Sequence, residues 1–134
     1  MYQVQHKLNP SPEPRGELVS RMLAMPSYTN PMGNIFGGWI MSVMDASALM
    51  TATKIAHGTV VTVAVSNMTF LEPVSVGDAI CCYTDVSAIG ETSITLAVEV
   101  WVLRQGQGDR IKVTDAEFKF VALNDNGYPR PVRA

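Results

Sequence analysis

One apolar segment constrains the fold of this chain more than any other feature. It covers residues 37–57, and Gly58 follows it as an expected C-terminal cap. Its apolar residues lie almost all round a helical cylinder, which is typical of a helix buried on most sides. Asp45 is the only charged residue between Arg21 and Lys54. The sequence therefore predicts a long central helix that carries one carboxylate.

After this helix the periodicity changes to a two-residue alternation, which is typical of β-strands. The predicted strands cover residues 59–71, 79–88, 92–103 and 111–123, with a further short strand within residues 16–25. In the first of the four, the alternation changes phase near Ser66 and Asn67, which predicts a β-bulge. A helix with antiparallel strands is an α+β layout, and a single curved sheet is expected to wrap the helix and cover most of it.

The chain has 134 residues, which suits one domain. Residues 1–16 carry three prolines and are predicted to form a flexible N-terminal arm. Residues 17–125 form the predicted domain, and residues 126–134 form a Pro-rich C-terminal tail.

The composition excludes several classes of function. The net charge of -2 argues against nucleic acid as the main partner. Only 16% of the residues are charged, which is low for a globular protein and suits a domain that buries surface in an oligomer. The polar N-terminus does not resemble a signal peptide, and polar residues interrupt the helix, so that a cytoplasmic protein without a membrane span is expected.

Most familiar catalytic motifs are absent from the sequence. It contains no G-x-S-x-G, H-E-x-x-H, P-loop or dinucleotide-binding pattern. His6 lies in the predicted arm, and His57 suits the negative end of the helix dipole. The adjacent Cys81 and Cys82 are expected to be buried free thiols. Neither a Ser-His-Asp triad nor a metal site is therefore predicted.

The remaining polar groups near the helix suit acyl transfer. Gly37 and Gly38 at the helix start leave free N–H groups, which can hold a carbonyl oxygen as it becomes an oxyanion. Asp45 can activate water or attack directly, and Asn30 can position water or substrate. Structural alternatives stay open: an acid satisfied by a hydroxyl such as Ser42, glycines that allow close packing beneath Trp39 or Phe36, and Asn30 as a turn residue.

The spacing of these groups adds a constraint on assembly. Gly38 and Asp45 are seven residues apart, which displaces them by about 10 Å along the helix axis. One helix cannot bring both groups to one reacting carbon atom. A second, antiparallel copy can supply the missing half, and the spacing therefore predicts a dimer with shared sites.

Three segments of the sequence, TNPMGNIFGGWIMSVMDASA, VVTVAVSNMTFLEPVSVGD and GETSITLAVEVWV, resemble the hotdog-fold acyl-CoA thioesterases. The bacterial YciA-type branch, which is similar to the mammalian cytosolic acyl-CoA hydrolases, is the most similar. The pattern N-x-x-G-x-x-F-G-G-x-x-M-x-x-M-D is met from Asn30 to Asp45, and the resemblance covers about residues 16–131.

The resemblance implies a helix wrapped by an antiparallel sheet, homodimers joined edge to edge, and assembly into tetramers or hexamers. It implies hydrolysis of acyl-CoA to free acid and CoA without metal or cofactor. The family's catalytic Asp corresponds to Asp45, its loop Asn to Asn30 and its oxyanion-hole glycine to Gly37 or Gly38. The family places the Asp and the Asn of one site on different subunits. Substrate binding is assigned to Phe36 and to four residues of the predicted strand 59–71, which are Ser66, Asn67, Met68 and Thr69.

The chain departs from the family pattern in two places. Many relatives carry Asp where this chain has Ser66. Relatives also often have a basic residue just before the G-x-T-S segment, which would suit the CoA phosphates, whereas this chain reads SAIGETS. The basic residues left for the phosphates are Arg104, Arg110, Lys112, Arg130 and Arg133.

Three other functions compete with an acyl-CoA thioesterase. A hotdog dehydratase would need a His base, and none lies near Asp45 in the sequence. A non-catalytic acyl-CoA sensor would not need the acid. A thioesterase for small aryl thioesters would share the chemistry and differ in the acyl pocket.

Overall fold

The computed structural model describes residues 13–104 and 108–133, which form one long helix and five antiparallel strands. In chain order the elements are β1 (Glu17–Leu23), a 3-10 turn (Pro26–Tyr28), α1 (Gly37–Ala56), β2 (Val60–Phe70), β3 (Ala79–Ile89), β4 (Ser93–Leu103) and β5 (Arg110–Ala122). Each predicted element is present, with ends within a few residues of those expected. Part of the predicted loop 104–110 lies outside the described residues.

The five strands form one sheet in the order β1-β3-β4-β5-β2, with every neighbouring pair antiparallel. Strands β1 and β2 are therefore the two edges. Helix α1 packs on one face of the sheet, and Met44 of the helix and Phe118 and Phe120 of β5 are almost completely buried between the layers. The predicted α+β layout is confirmed.

The sheet covers one face of α1 rather than most of it. Met44 and Ala48 face the sheet and are 0% exposed. On the other side, the exposed fractions of Met41, Leu49 and Met50 are 41%, 39% and 53%. The expectation that the sheet covers most of the helix is wrong for a single chain. The uncovered apolar strip is the kind of surface that association between proteins buries.

The C-terminus of α1 also differs from the expectation. His57 adopts the left-handed conformation with φ 53°, and its backbone N–H donates to the carbonyl of Thr53. The sequence predicts Gly58 at this position, because glycine reaches positive φ without strain. The Arg130 side chain stabilises this end, because its Nη2 donates to the carbonyl oxygen of Ala56 at 2.9 Å.

The predicted bulge in β2 is confirmed. The register between β2 and β5 shifts between Ser66 and Thr69, and Asn67 adopts a positive φ of 57°.

The predicted N-terminal arm and C-terminal tail both contain described residues that contact the domain. Of the predicted arm, residues 1–12 lie outside the described ranges, and Arg15 contacts the sheet through an ion pair with Asp85. In the predicted tail, Val132 is only 3% exposed and belongs to the core. Within the described ranges, no helix combines the length and apolar character that a membrane crossing requires.

Candidate active site

Asp45 lies half-buried near the middle of α1, next to the edge strand β2. The hydroxyl of Thr62 on β2 donates to Asp45 Oδ1 at 2.7 Å. Ser42, which was expected as a possible partner, instead donates to the carbonyl of Trp39 at 2.6 Å. The Thr62 hydrogen bond fixes one carboxylate oxygen, and no described residue donates a hydrogen bond to the other.

Asn30 closes the loop that leads into α1. Its side-chain oxygen accepts the backbone N–H groups of Met32 at 2.9 Å and Asn34 at 3.1 Å, which is an Asx-type turn. The alternative role of Asn30 as a turn residue is therefore present in the structure. The turn uses the oxygen and leaves the two amide hydrogens of Asn30 to donate elsewhere.

The first turn of α1 has no side-chain cap. Phe36 occupies the N-cap position without a capping hydrogen bond. Among the described residues, neither the Gly37 N–H nor the Gly38 N–H has an acceptor. Both groups lie at the positive end of the helix dipole, which favours a negative charge or a polarised oxygen.

The two glycines have different surroundings. A Cβ atom at Gly37 would lie 3.2 Å from Cζ of Phe70 on β2. A Cβ atom at Gly38 would meet only the ring of Phe36, at an ordinary 3.5 Å. Close packing therefore applies at Gly37, against Phe70 and not beneath Trp39 or Phe36. At Gly38 no close approach requires glycine.

A cavity of about 220 Å³ lies at the start of α1. Its lining consists of Asn30, Asn34, Ile35, Gly37, Ile40, Phe70, Glu72, Pro73 and Val74. Two of the predicted catalytic residues, Asn30 and Gly37, thus share one cavity. Asp45 does not line it, because eight residues of helix separate it from Gly37, a rise of about 12 Å. A single chain does not bring the acid to the amides.

Both halves of the predicted site are connected to the same edge strand. Thr62, which contacts Asp45, lies in the first half of β2, and Phe70, which lines the cavity, is its last residue. The outer edge of β2 is unpaired in the described sheet. In an antiparallel pair of two β2 strands, the first half of one lies opposite the second half of the other. Such a pair would bring Asp45 of one copy toward the cavity of the other.

The predicted substrate-binding residues are divided among different surroundings. Phe36 is exposed at the start of α1. In the β2 segment Ser66–Thr69, Ser66 is exposed and Met68 packs against the core. Asn67 lines a second cavity of about 160 Å³, with Glu99 and other residues of the outer sheet face.

Thr69 is exposed and lies at the end of the bulge. Its backbone carbonyl accepts the Thr114 hydroxyl at 2.6 Å, which holds the segment to β5.

Several of the basic residues proposed for the CoA phosphates are engaged within the chain. Lys112 is 6% exposed, and its Nζ lies 2.7 Å from Asp115 Oδ2 and 3.6 Å from Glu99 Oε2. Arg104 pairs with Asp78 at 3.4 Å.

The remaining arginines, in or after the last strand, differ in how many hydrogen bonds they donate within the chain. Arg110 donates to the Tyr83 hydroxyl at 3.1 Å. Arg130 donates to three backbone carbonyls, including that of Ala56. Arg133 has no partner among the described residues and lines a cavity of about 500 Å³ beside His57.

The cysteines match their predicted character. Cys81 and Cys82 are free thiols and are both buried. Burial raises the pKa of the Cys82 thiol to about 11, although a hydrogen bond with Ser47 acts in the opposite direction. Cys82 is therefore protonated at neutral pH and is a poor nucleophile. In the part of the chain that the structure covers, no three His, Cys, Asp or Glu residues are grouped in a way that suits a metal ion.

Sequence reasoning missed two residues of this region. Thr62 had no sequence signal, because the alternation of Val61 and Val63 predicts that the valines face the core, whereas in the structure they are exposed and Thr62 contacts Asp45. The segment that contains Glu72 predicts only a turn, and no periodicity indicates which way its side chain points.

Comparison with known proteins gives a consistent result. The family model of the thioesterase superfamily matches residues 32–108. Acyl-CoA thioester hydrolase YciA from Salmonella typhimurium is 52% identical over 122 residues, covering 89% of this chain and 92% of that protein.

Two solved structures are also similar. The hexameric broad specificity acyl-coenzyme A thioesterase HI0827 has a TM-score of 0.84 at 51% identity, covering 90% of this chain and 83% of that one. The hexameric hotdog fold thioesterase Cj0915 of Campylobacter jejuni has a TM-score of 0.81 at 40% identity, covering 87% and 90%. The chain belongs to the thioesterase superfamily and has the hotdog fold. The fold and the enzyme class predicted from sequence are confirmed.

Proposed function

We propose that the protein hydrolyses acyl-CoA thioesters to a free acid and CoA, in a site shared between two subunits. One observation carries this proposal. Asp45 is held by Thr62 beside the unpaired edge of β2, while Asn30 and the free N–H of Gly37 lie in a cavity at the opposite half of the same strand. An antiparallel partner completes the site by placing its cavity at Asp45.

The hydrogen bond from Thr62 orients the carboxylate for reaction. With Oδ1 held, Oδ2 takes a proton from water, and the hydroxide adds to the thioester carbon. The N–H groups of Gly37 and Gly38 of the partner subunit hold the oxyanion that forms. Collapse of the intermediate breaks the carbon–sulfur bond, and the CoA thiolate takes the proton from Asp45.

Direct attack by Asp45 is the second possible route. The carboxylate then displaces the CoA thiolate and forms a mixed anhydride, which water cleaves. In both routes the amide of Asn30 donates to the water or the substrate. Neither route requires a cofactor, because the acid, the amides and water supply every proton and electron pair.

We expect the enzyme to be built from homodimers paired through β2 and to assemble further into a hexamer. The uncovered face of α1 and the exposed Val61, Val63 and Val65 supply apolar surface at this edge. Two similar thioesterases are hexameric. The cytoplasm stays the proposed location, since buried free thiols suit a reducing compartment.

For CoA, we propose that the nucleotide lies near Arg133 of one subunit and the Ser66–Thr69 segment of its partner. Antiparallel pairing of two β2 strands brings that segment toward the end of the sheet where Arg133 lies. Along α1, His57 beside Arg133 is twelve residues from Asp45, about 18 Å, which the pantetheine arm can span. Arg133→Glu should raise the KM for acyl-CoA severalfold and leave kcat unchanged, whereas Arg110→Glu should have a smaller effect on KM.

The decisive test of the proposed reaction is Asp45→Asn. Turnover of an acyl-CoA panel should fall by about a hundredfold or more, because the base is lost while the size is kept. Ser42→Ala, on the same helix but without contact to Asp45, is the matched control and should keep its activity. Light scattering checks that both variants assemble.

Binding of CoA by calorimetry separates the outcomes. A folded Asp45→Asn variant that binds CoA without hydrolysing its thioesters supports the catalytic role. Near-normal turnover would make Asp45 a structural acid. A wild-type protein that binds acyl-CoA and never hydrolyses it would be a sensor.

A further inference from the structure

Glu72 is the only charged residue among those that line the cavity at the start of α1. It follows β2 directly, and its backbone is fixed there, because the N–H groups of Leu71 and Glu72 both donate to the carbonyl of Val113. The side chain is half-buried. None of the described residues forms a salt bridge or a side-chain hydrogen bond with it, so its carboxylate belongs to the cavity rather than to a network of the fold.

The charge of Glu72 is not offset by the described surroundings. The lining contains no Lys, Arg or His. Arg104 is close, since its Nη2 donates to the carbonyl of the lining residue Pro73, but its guanidinium pairs with Asp78. A substrate group that enters this cavity therefore meets a negative potential at one wall.

The rest of the cavity indicates which part of the substrate enters. The N–H of Gly37 and the amide of Asn30 mark the position proposed for the thioester oxygen. Beyond them, Ile35, Ile40 and Val74 provide an apolar wall. The volume of about 220 Å³ holds on the order of seven water-sized groups. This space fits the first few atoms of an acyl chain that extends from the thioester carbon.

We propose that Glu72 determines specificity by rejecting short acyl groups that end in a carboxylate, so that the enzyme selects neutral acyl groups. An anionic terminus would approach the Glu72 carboxylate in a partly dehydrated cavity, where repulsion is stronger than in water. This inference rests on the proposed thioesterase function and adds a selection rule to it.

The test compares butyryl-CoA with succinyl-CoA, which have four-carbon acyl groups and differ by a terminal carboxylate. The wild-type kcat/KM for butyryl-CoA should exceed that for succinyl-CoA by at least about tenfold. In Glu72→Gln, which keeps the shape and removes the charge, this ratio should fall by about tenfold. Glu72→Lys should lower it further.

Glu17→Gln is the matched control, because Glu17 is exposed on the opposite edge strand β1. It should leave the ratio at the wild-type value. In the wild-type enzyme, added salt should narrow the ratio, since screening weakens charge repulsion. This measurement needs no variant.

The results separate the selection rule from the reaction itself. If the wild type hydrolyses butyryl-CoA and the ratio is the same in Glu72→Gln, Glu72→Lys and high salt, the role of Glu72 is wrong while the thioesterase function stands. If the wild type hydrolyses neither thioester, the proposed function fails and the selection rule fails with it.

Discussion

The two ends of helix α1 are constructed in opposite ways. At the C-terminus, the Ala56 carbonyl accepts a hydrogen bond from Arg130, and the His57 and Gly58 N–H groups both donate to Thr53. At the N-terminus, no side chain caps the helix, and two N–H groups have no acceptor among the described residues.

Under the proposed mechanism, the open end of α1 gives up stability so that its N–H groups can bind the substrate. A missing N-cap typically costs about 1 kcal/mol. The open end of α1 faces the cavity that Asn30 and Gly37 line, whereas the closed end is held by the folded C-terminal segment. Variants at the open end should therefore change turnover, and variants at the closed end should change stability.

The largest expected effect tests whether the open end serves the neighbouring subunit. Asp45→Asn and Asn30→Ala should each be inactive as homo-oligomers. Co-expressed, they form mixed dimers in which one site has both defects and the other has none. Random pairing makes about half of the dimers mixed, so about a quarter of all sites should recover. The measurement is acyl-CoA hydrolysis by the whole co-expressed preparation, before any selection for mixed oligomers.

Two tags on the variants show that mixed oligomers form. Two differently tagged Asp45→Asn copies serve as the control and should stay inactive. An inactive preparation that contains mixed oligomers of the two different variants would place the whole site within one chain.

At the closed end, Arg130→Ala should lower the free energy of unfolding by about 2 kcal/mol, since it removes charged hydrogen bonds to backbone carbonyls and a favourable dipole interaction. Denaturant unfolding followed by circular dichroism measures this change. Arg133→Ala, which loses no described partner, should be nearly neutral for stability. A loss of kcat in Arg130→Ala without a loss of stability would contradict the contrast between the two ends.

The next effect distinguishes the two glycines at the open end. Gly37→Ala forces Phe70 or the helix start to shift, because the new Cβ would lie 3.2 Å from its ring. Misplacing the proposed oxyanion donors should lower kcat by about tenfold, equivalent to about 1.4 kcal/mol in the barrier. Gly38→Ala meets only ordinary contacts and should stay close to wild type. Equal kcat values for both variants would mean that the packing of Gly37 is irrelevant to the reaction.

The sequence predicted the elements well because their signals are local. The change of period after the helix and the phase shift near Ser66 each follow from neighbouring residues. The proposed acid, Asp45, was found for the same reason, as the one charge in an apolar helix.

The side-chain partners that the sequence did not predict are determined by tertiary contacts. The partner of Asp45 is Thr62 and not Ser42 because the rotation of α1 over the sheet turns the carboxylate toward β2. Lys112 was a candidate for phosphate binding, but pairing across β4 and β5 places Glu99 and Asp115 beside it. Such pairings depend on register, which no short segment of sequence specifies.

The smallest effect concerns the cap that the sequence misplaced. His57→Gly should stabilise the fold by about 0.5–1 kcal/mol, because glycine adopts the positive φ of this position without the Cβ penalty. Gly58→Ala should destabilise it, because a Cβ atom there would lie 2.8 Å from Nη2 of Arg130 and displace the side chain that closes the helix. If Gly58 were the left-handed cap, His57→Gly would bring no gain, because glycine is the weaker helix former. Chemical denaturation of both variants and the wild type measures the free energy of unfolding. The sign of its change in His57→Gly shows which residue is the left-handed cap.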